Sequence, residues 1–225
     1  MNWKDMPKLP LVLVALMFVA GAILYPRLPG TIPTHWGASG APDAWSAKSF
    51  WSVFSLPLLC LGLYALFIVI PYFDPKRSNL IRSKKAYAMI LDGVTAMMTV
   101  TFTASLAAAF DRAFPVDRVI TLGVGLLFIV IGNYMKTVKR NFTMGVRMSW
   151  TVMDDVVWAK TNRLGGYMFM GAGVLAIAGA FVSAPWNIVM FMAPILLMLP
   201  ILYVYSYRLY KERHPDDMGR PPEPE

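Results

Sequence analysis

Six runs of apolar residues, each about as long as the hydrocarbon layer of a bilayer is thick, limit what this chain can fold into. About 20 apolar residues are needed to cross that layer as a helix, and a helix satisfies its own backbone hydrogen bonds there. The runs cover residues 9–28, 50–73, 86–110, 119–135, 164–184 and 186–207. With 57% hydrophobic and only 15% charged residues in 225, the chain holds more apolar surface than one soluble core can hide. Tyr25, Trp51, Tyr72, Tyr87, Tyr134, Tyr167, Trp186 and Tyr207 stand near the ends of the runs, where a ring with a polar tip favours the headgroup level. These features predict an all-α polytopic membrane protein with six transmembrane helices.

Orientation follows from the basic residues between the runs. Of 21 Lys and Arg, 17 fall in the N-terminus, the second and fourth connections and the tail; Arg27, Lys48, Arg112 and Arg118 fall on the other side. The positive-inside rule then predicts a multi-pass membrane protein with both termini in the cytoplasm. The net charge of +8 is therefore topological: it favours anionic inner-leaflet lipid, and no direct nucleic-acid role is expected, because no basic run is interleaved with stacking aromatics. The first run is too long for the core of a cleaved signal and is expected to stay as a helix. Cys60, the one cysteine, lies inside the second run and has no intramolecular partner. Organisation is expected as an N-terminal two-helix unit, 1–85, with an outer loop at 28–49; a four-helix unit, 86–210, with an inner segment at 132–166; and an unstructured tail, 211–225.

The outer loop combines prolines and glycines, which oppose a long regular element, with Ile32, Trp36 and Trp45, which are too apolar for a loose tether. A compact cap is expected, with His35, Trp36, Asp43, Trp45 and Lys48 as candidate contacts for an outside ligand. His35 and Asp43 fall short of the three or four ligands of a zinc site, so no metal and no cofactor are expected. Asp43 accepting turn amides and His35 bonding a nearby carbonyl is the favoured role for the pair.

Asp92 is the clearest charge inside a run, about 9 Å in from Ala86 at 1.5 Å per helical residue. A carboxylate there faces the bundle interior, takes a proton or finds a partner, with Asn133, Arg147 and Arg82 as candidates. A structural role is favoured over a proton or cation site. Ala172, Ala176, Ala180 and Ala184, beside Gly171, Gly173 and Gly179, make a small-residue stripe that admits a close helix, within the bundle or from a second copy. Pro57, Pro194 and Pro200 fall inside runs and are expected to kink them. No nucleophile-and-base set, His-Glu-x-x-His pattern or phosphate loop is present, so an enzyme is not expected.

The segment between the fourth and fifth runs is dense in polar and aromatic residues. Asn141-Phe142-Thr143 matches a glycosylation sequon, but its cytoplasmic placement makes that match accidental. Thr151 and Asp154 suggest a capping pair opening a short amphipathic surface helix from Val152 to about Arg163, with Asp154, Asp155, Lys160 and Arg163 in water and Gly165-Gly166 ending it.

Gly132-Asn133, Asn141-Phe142, Gly145-Val146-Arg147, Trp150-Thr151, Trp158 and Thr161-Asn162-Arg163-Leu164-Gly165-Gly166 together resemble the signature of the SdpI family of bacterial membrane immunity proteins. Leu28-Pro29, Ile32-Pro33-Thr34-His35-Trp36, Gly40-Ala41-Pro42-Asp43 and Lys48 are similar to the N-terminal domain that accompanies it. Met148 and Ser149 stand where Thr and Pro are usual, and Asn162 where His is frequent. The resemblance implies resistance to a secreted antimicrobial peptide toxin. It also implies that a small cytosolic winged-helix repressor is held at the inner face, with Asn133, Asn141, Arg147, Trp150, Thr151, Trp158, Asn162 and Arg163 as the recognition segment. A small transporter, or a proton- or cation-coupled protein, using Asp92 is the alternative.

Overall fold

The computed structural model describes residues 6–37, 42–183 and 185–215. Among them are α1 Leu9–Leu24, a short 3-10 turn at Tyr25–Arg27, β1 Thr31–Trp36, β2 Pro42–Ala47, α2 Phe50–Phe73, α3 Arg77–Arg82, α4 Lys84–Phe110, α5 Val116–Met135, α6 Asp155–Gly179 and α7 Trp186–Arg213. Five helical stretches, Leu9–Arg27, Phe50–Phe73, Lys84–Phe110, Val116–Met135 and Trp186–Arg213, are long and apolar enough to cross a membrane. α6 is comparable at 25 residues but carries Asp155, Lys160 and Arg163 in its first half. Leu16, Leu59, Leu126, Val174 and Leu199 all lie exposed on long helices, an outer surface suited to lipid.

The chain is mostly helical, but it is not all-α. β1 and β2 form an antiparallel hairpin with Thr31 opposite Ala47, Ile32 opposite Ser46, and Pro33 opposite Trp45. The register shifts between Pro33 and Trp36. Proline has no N–H to give the ladder, so its presence is consistent with that irregularity. The prolines and glycines that argued against a long element thus still permit two six-residue strands.

Ile32 from β1 is buried with Val14 and Met17 of α1, Val53 and Phe54 of α2, and Phe102 and Leu106 of α4. Trp36 packs beside Ala104, Ala108 and Val116. The hairpin is therefore seated on the bundle, as expected of a cap. Ser49 opens α2: its hydroxyl accepts the Ser52 amide while the Ser52 hydroxyl accepts the Ser49 amide, a reciprocal cap.

The second half of the bundle is set by glycine. A Cβ on Gly132 would run into the Gly166 carbonyl and the Met170 amide, and one on Gly166 would meet the Gly132 carbonyl. Gly125 and Gly173 stand in the same reciprocal relation. The pairs are two helical turns apart and run in opposite directions, so α5 and α6 lie antiparallel with backbones nearly touching. α6 packs in turn against α7. Ala172 and Ala176 of the expected stripe are buried; Ala184 lies outside the described residues.

Three local expectations are corrected. No separate surface helix ends at Gly165-Gly166: α6 runs unbroken from Asp155 to Gly179, because those glycines serve helix contact instead of chain reversal. Its N-cap is Asp154, and Thr151 belongs to the preceding turn. The last turn of α7 extends through Arg213, beyond the point where an unstructured tail was expected to begin; residues 216–225 lie outside the described residues.

Candidate functional site

The antiparallel helices gather the connections at two ends. One holds the hairpin, the α4–α5 turn and the α6–α7 turn. The other holds α3, the segment from Lys136 to Asp154 and the end of α7.

At the second end the polar segment is folded by its own side chains. Asn141 is fully buried; its amide donates to the Lys139 carbonyl at 2.7 Å and its oxygen accepts the amides of Thr143 and Met144, both at 2.7 Å. Gly145 follows at φ +110°, a conformation that favours glycine, and it lies against Trp158 and Asn162. Asn162 accepts the Val146 amide at 2.8 Å and donates to the Trp158 carbonyl at 3.0 Å. The Trp158 indole donates to the Val138 carbonyl at 2.9 Å. Thr151 accepts the Met148 amide at 2.8 Å and donates among the Val146 and Met148 carbonyls. The Trp150 indole donates to the Ser206 hydroxyl on α7 at 2.9 Å, edge-on to Tyr203 and Tyr207.

Of the expected recognition residues, Asn141, Thr151, Trp158 and Asn162 thus lie buried, spent on internal bonds. Asn133, Arg147 and Arg163 are exposed. Arg147 donates to the Phe142 carbonyl and lines a shallow cleft with Phe73, Asp74 and Thr143.

Two residues that sequence reading passed over, and one that it placed in water, hold this end together. Asp74 is buried and accepts the Lys76 amide at 2.7 Å, the Phe142 amide at 3.0 Å and the Thr143 hydroxyl at 2.6 Å. Asn79 of α3 donates to the Arg140 carbonyl at 2.8 Å. Asp154, expected in water, is buried; its carboxylate accepts the amides of Val156 and Val157 and meets Arg213 and His214, each at 2.9 Å. Burial alone would raise the Asp154 carboxyl, but the Val157 amide, His214, Arg213 and the Val156 amide outweigh it and hold the group well below the usual carboxylate range. Asp74 sits at a helix end before proline and Asp154 at a helix start, positions where such roles are common; their distant partners leave no mark in the sequence.

The hairpin end is differently built. His35 Nδ1 lies 2.5 Å from Asp43 Oδ1, with both side chains more than half exposed. The Thr34 and Ser46 hydroxyls meet at 3.3 Å. Asp43 therefore pairs with His35 directly, where a carbonyl partner for the histidine was favoured. Lys48 donates to the Leu28 carbonyl at 3.0 Å and lies over the Tyr25 ring. Trp45 is exposed, with Arg112 over its ring at 4.8 Å. Two clefts flank the hairpin and share Trp36. One, of about 540 Å³, lies between the hairpin, α2 and α4 and includes Trp51, Ser52, Thr101 and Ser105. The other, of about 800 Å³, reaches Asp117, Arg118, Phe181 and Asn187 at the ends of α5, α6 and α7.

Asp92 stands apart from both ends. None of Asn133, Arg147 or Arg82 bonds it, and its Oδ1 is buried without a hydrogen-bond partner among the described residues. No cluster of three His, Cys, Asp or Glu suited to a metal occurs among them.

A helical membrane bundle with a hairpin seated on one end and a bonded polar segment at the other defines the class of protein. Residues 12–61 match a domain of unknown function, DUF1648, and residues 137–206 match the SdpI/YfhL protein family. The second half of the chain is thus similar to the SdpI/YfhL family, with a stretch similar to the DUF1648 domain ahead of it. It is 26% identical over 202 residues to the immunity protein SdpI of Bacillus subtilis (strain 168), an alignment covering 90% of this chain and 94% of that relative. No solved structure matches.

Proposed function

We propose that this chain is an immunity protein of the bacterial plasma membrane, protecting its cell against a secreted antimicrobial peptide. The observation that carries the reading is the match to an immunity protein along nearly the full length of both chains. The geometry supports a division of labour. The two clefts that share Trp36 receive an amphipathic peptide, at the end of the bundle that also carries His35, Asp43, Trp45 and Lys48. The unit 1–85 supplies the hairpin and two long helices of the bundle, and 86–210 supplies the other four and the polar segment.

In this reading α6 is the sixth span. What supports it is its length, about 37 Å at 1.5 Å per residue, and its antiparallel packing between α5 and α7. The end that holds the polar segment carries Lys76, Arg77, Arg82, Lys84, Lys85, Lys136, Lys139 and Arg140, so it faces the cytoplasm, with both termini. Signalling would use the same end: a winged-helix repressor docks on the exposed Arg147 and Arg163, while the buried residues keep the surface in shape.

Expression in toxin-sensitive cells tests the reading. Cells carrying the full chain should survive the peptide; death at the same dose as empty cells would sink it. Replacing Arg147 by Ala should leave survival intact and abolish repressor recruitment to membranes. The partnerless oxygen of Asp92 favours one second reading, transport coupled to a proton or cation. Under it, Asp92→Asn abolishes uptake or efflux, whereas immunity by binding leaves resistance unchanged.

A further inference from the structure

We propose that the hollow between the start of α4 and the end of α5 is a binding site for a phosphate-bearing anion, supplied by the headgroup of an anionic phospholipid. A cavity of about 380 Å³ is lined there by Arg82, Ser83, Lys85, Asn133, Tyr134 and Thr137. Its chemistry is one-sided. Two cations, a side-chain amide and three hydroxyl side chains line the space, and no carboxylate lines it.

Three of the donors are also uncommitted. The side chains of Arg82, Lys85 and Asn133 have no hydrogen bond or ion pair among the described residues, whereas Arg140 is bonded to the Val152 and Met153 carbonyls and lies 2.7 Å from Asp155. Two unpaired cations sharing one concave surface repel each other, and an anion between them relieves that repulsion while accepting their N–H groups. The first amides of α4 add a positive dipole end in the same place. The position is right for a lipid. The cavity lies at the ends of two spanning-length helices, with Tyr134 at its edge, the depth at which headgroup phosphates sit.

The floor of the site connects it to the polar segment. Ser83 donates to the Asn79 carbonyl at 3.0 Å and accepts the Lys139 amide at 2.9 Å. A bound headgroup therefore rests on the residue that fastens the start of that segment to α3. The proposal rests on the membrane-spanning reading, but not on toxin binding: its test measures lipid, and the survival assay measures immunity, so either can fail alone.

Full-length protein in nanodiscs containing phosphatidylglycerol and phosphatidylcholine, released and weighed by native mass spectrometry, tests it. The wild type should retain phosphatidylglycerol in preference. Removing two surface cations in R82Q/K85Q should lower that retention about tenfold, and N133A, an exposed position, should lower it by a smaller factor with folding intact. K160Q, which removes a cation on α6 outside the cavity, should retain lipid like the wild type. Equal loss in K160Q, or wild-type retention in R82Q/K85Q, overturns the site. Inorganic phosphate, titrated into protein in neutral detergent, separates the sources. Binding of phosphate that depends on Arg82 and Lys85, without any lipid preference, assigns the same site to the free ion; binding of neither overturns it.

Discussion

The two ends of this bundle use similar residues in opposite ways. At the hairpin end His35, Asp43 and Trp45 are exposed, and His35 and Asp43 pair across open solvent. At the other end Asn141, Thr151, Trp158 and Asn162 are buried, and each bonds backbone. An exposed pair contributes about 0–1 kcal/mol, whereas a buried donor left without its acceptor costs about 1–3 kcal/mol. A dense polar motif therefore need not be a contact surface. Here the buried polar residues shape the segment, and the sparser hairpin residues are those free to touch a ligand.

The hardest test of this contrast lies where the backbone itself is the contact. Gly132→Leu places a side chain against the Gly166 carbonyl and Met170 amide, atoms that cannot turn aside. The expected loss is at the top of the roughly 1–3 kcal/mol range for overpacking or above it, read as a drop in melting temperature or loss of a monodisperse peak in detergent. A melt unchanged from wild type would mean that α5 and α6 do not approach as described. Next in size is Asn162→Ala, which strands the half-buried Val146 amide at a cost of about 1–2 kcal/mol. A variant melting within a degree of wild type would show that the polar segment is not held by these bonds.

How much of this was legible from sequence depended on the range of the interaction. The long helices were legible because length and apolarity are local properties, and the motif resemblance pointed to the SdpI family. α6 was misjudged at Gly165-Gly166 because a glycine pair reads as a break along the chain, while its reason here, the closeness of Gly132, lies on another helix. Asp154 was placed in water for the same kind of reason. Its partners Arg213 and His214 are 59 and 60 residues away, and a charged residue without a visible partner is by default assigned to solvent. The hairpin was missed as strand because Pro33 and Pro42 are strand-breakers, and the burial of Ile32 that seats it depends on α1, α2 and α4.

The smallest expected effect on folding sharpens the comparison most. His35→Gln removes an exposed pairing at the hairpin and should change stability by no more than about 0.5 kcal/mol. If the clefts beside Trp36 receive the peptide, the same change should still raise sensitivity to the toxin, measured as the dose that stops growth at matched membrane levels. Asn162→Ala should show the reverse pattern, with stability falling and any loss of resistance following the amount of folded protein. Should His35→Gln leave resistance untouched while exposed changes at Arg147 or Arg163 abolish it, the assignment of the two ends would exchange, and the polar segment would become the ligand-contacting face despite its buried bonds.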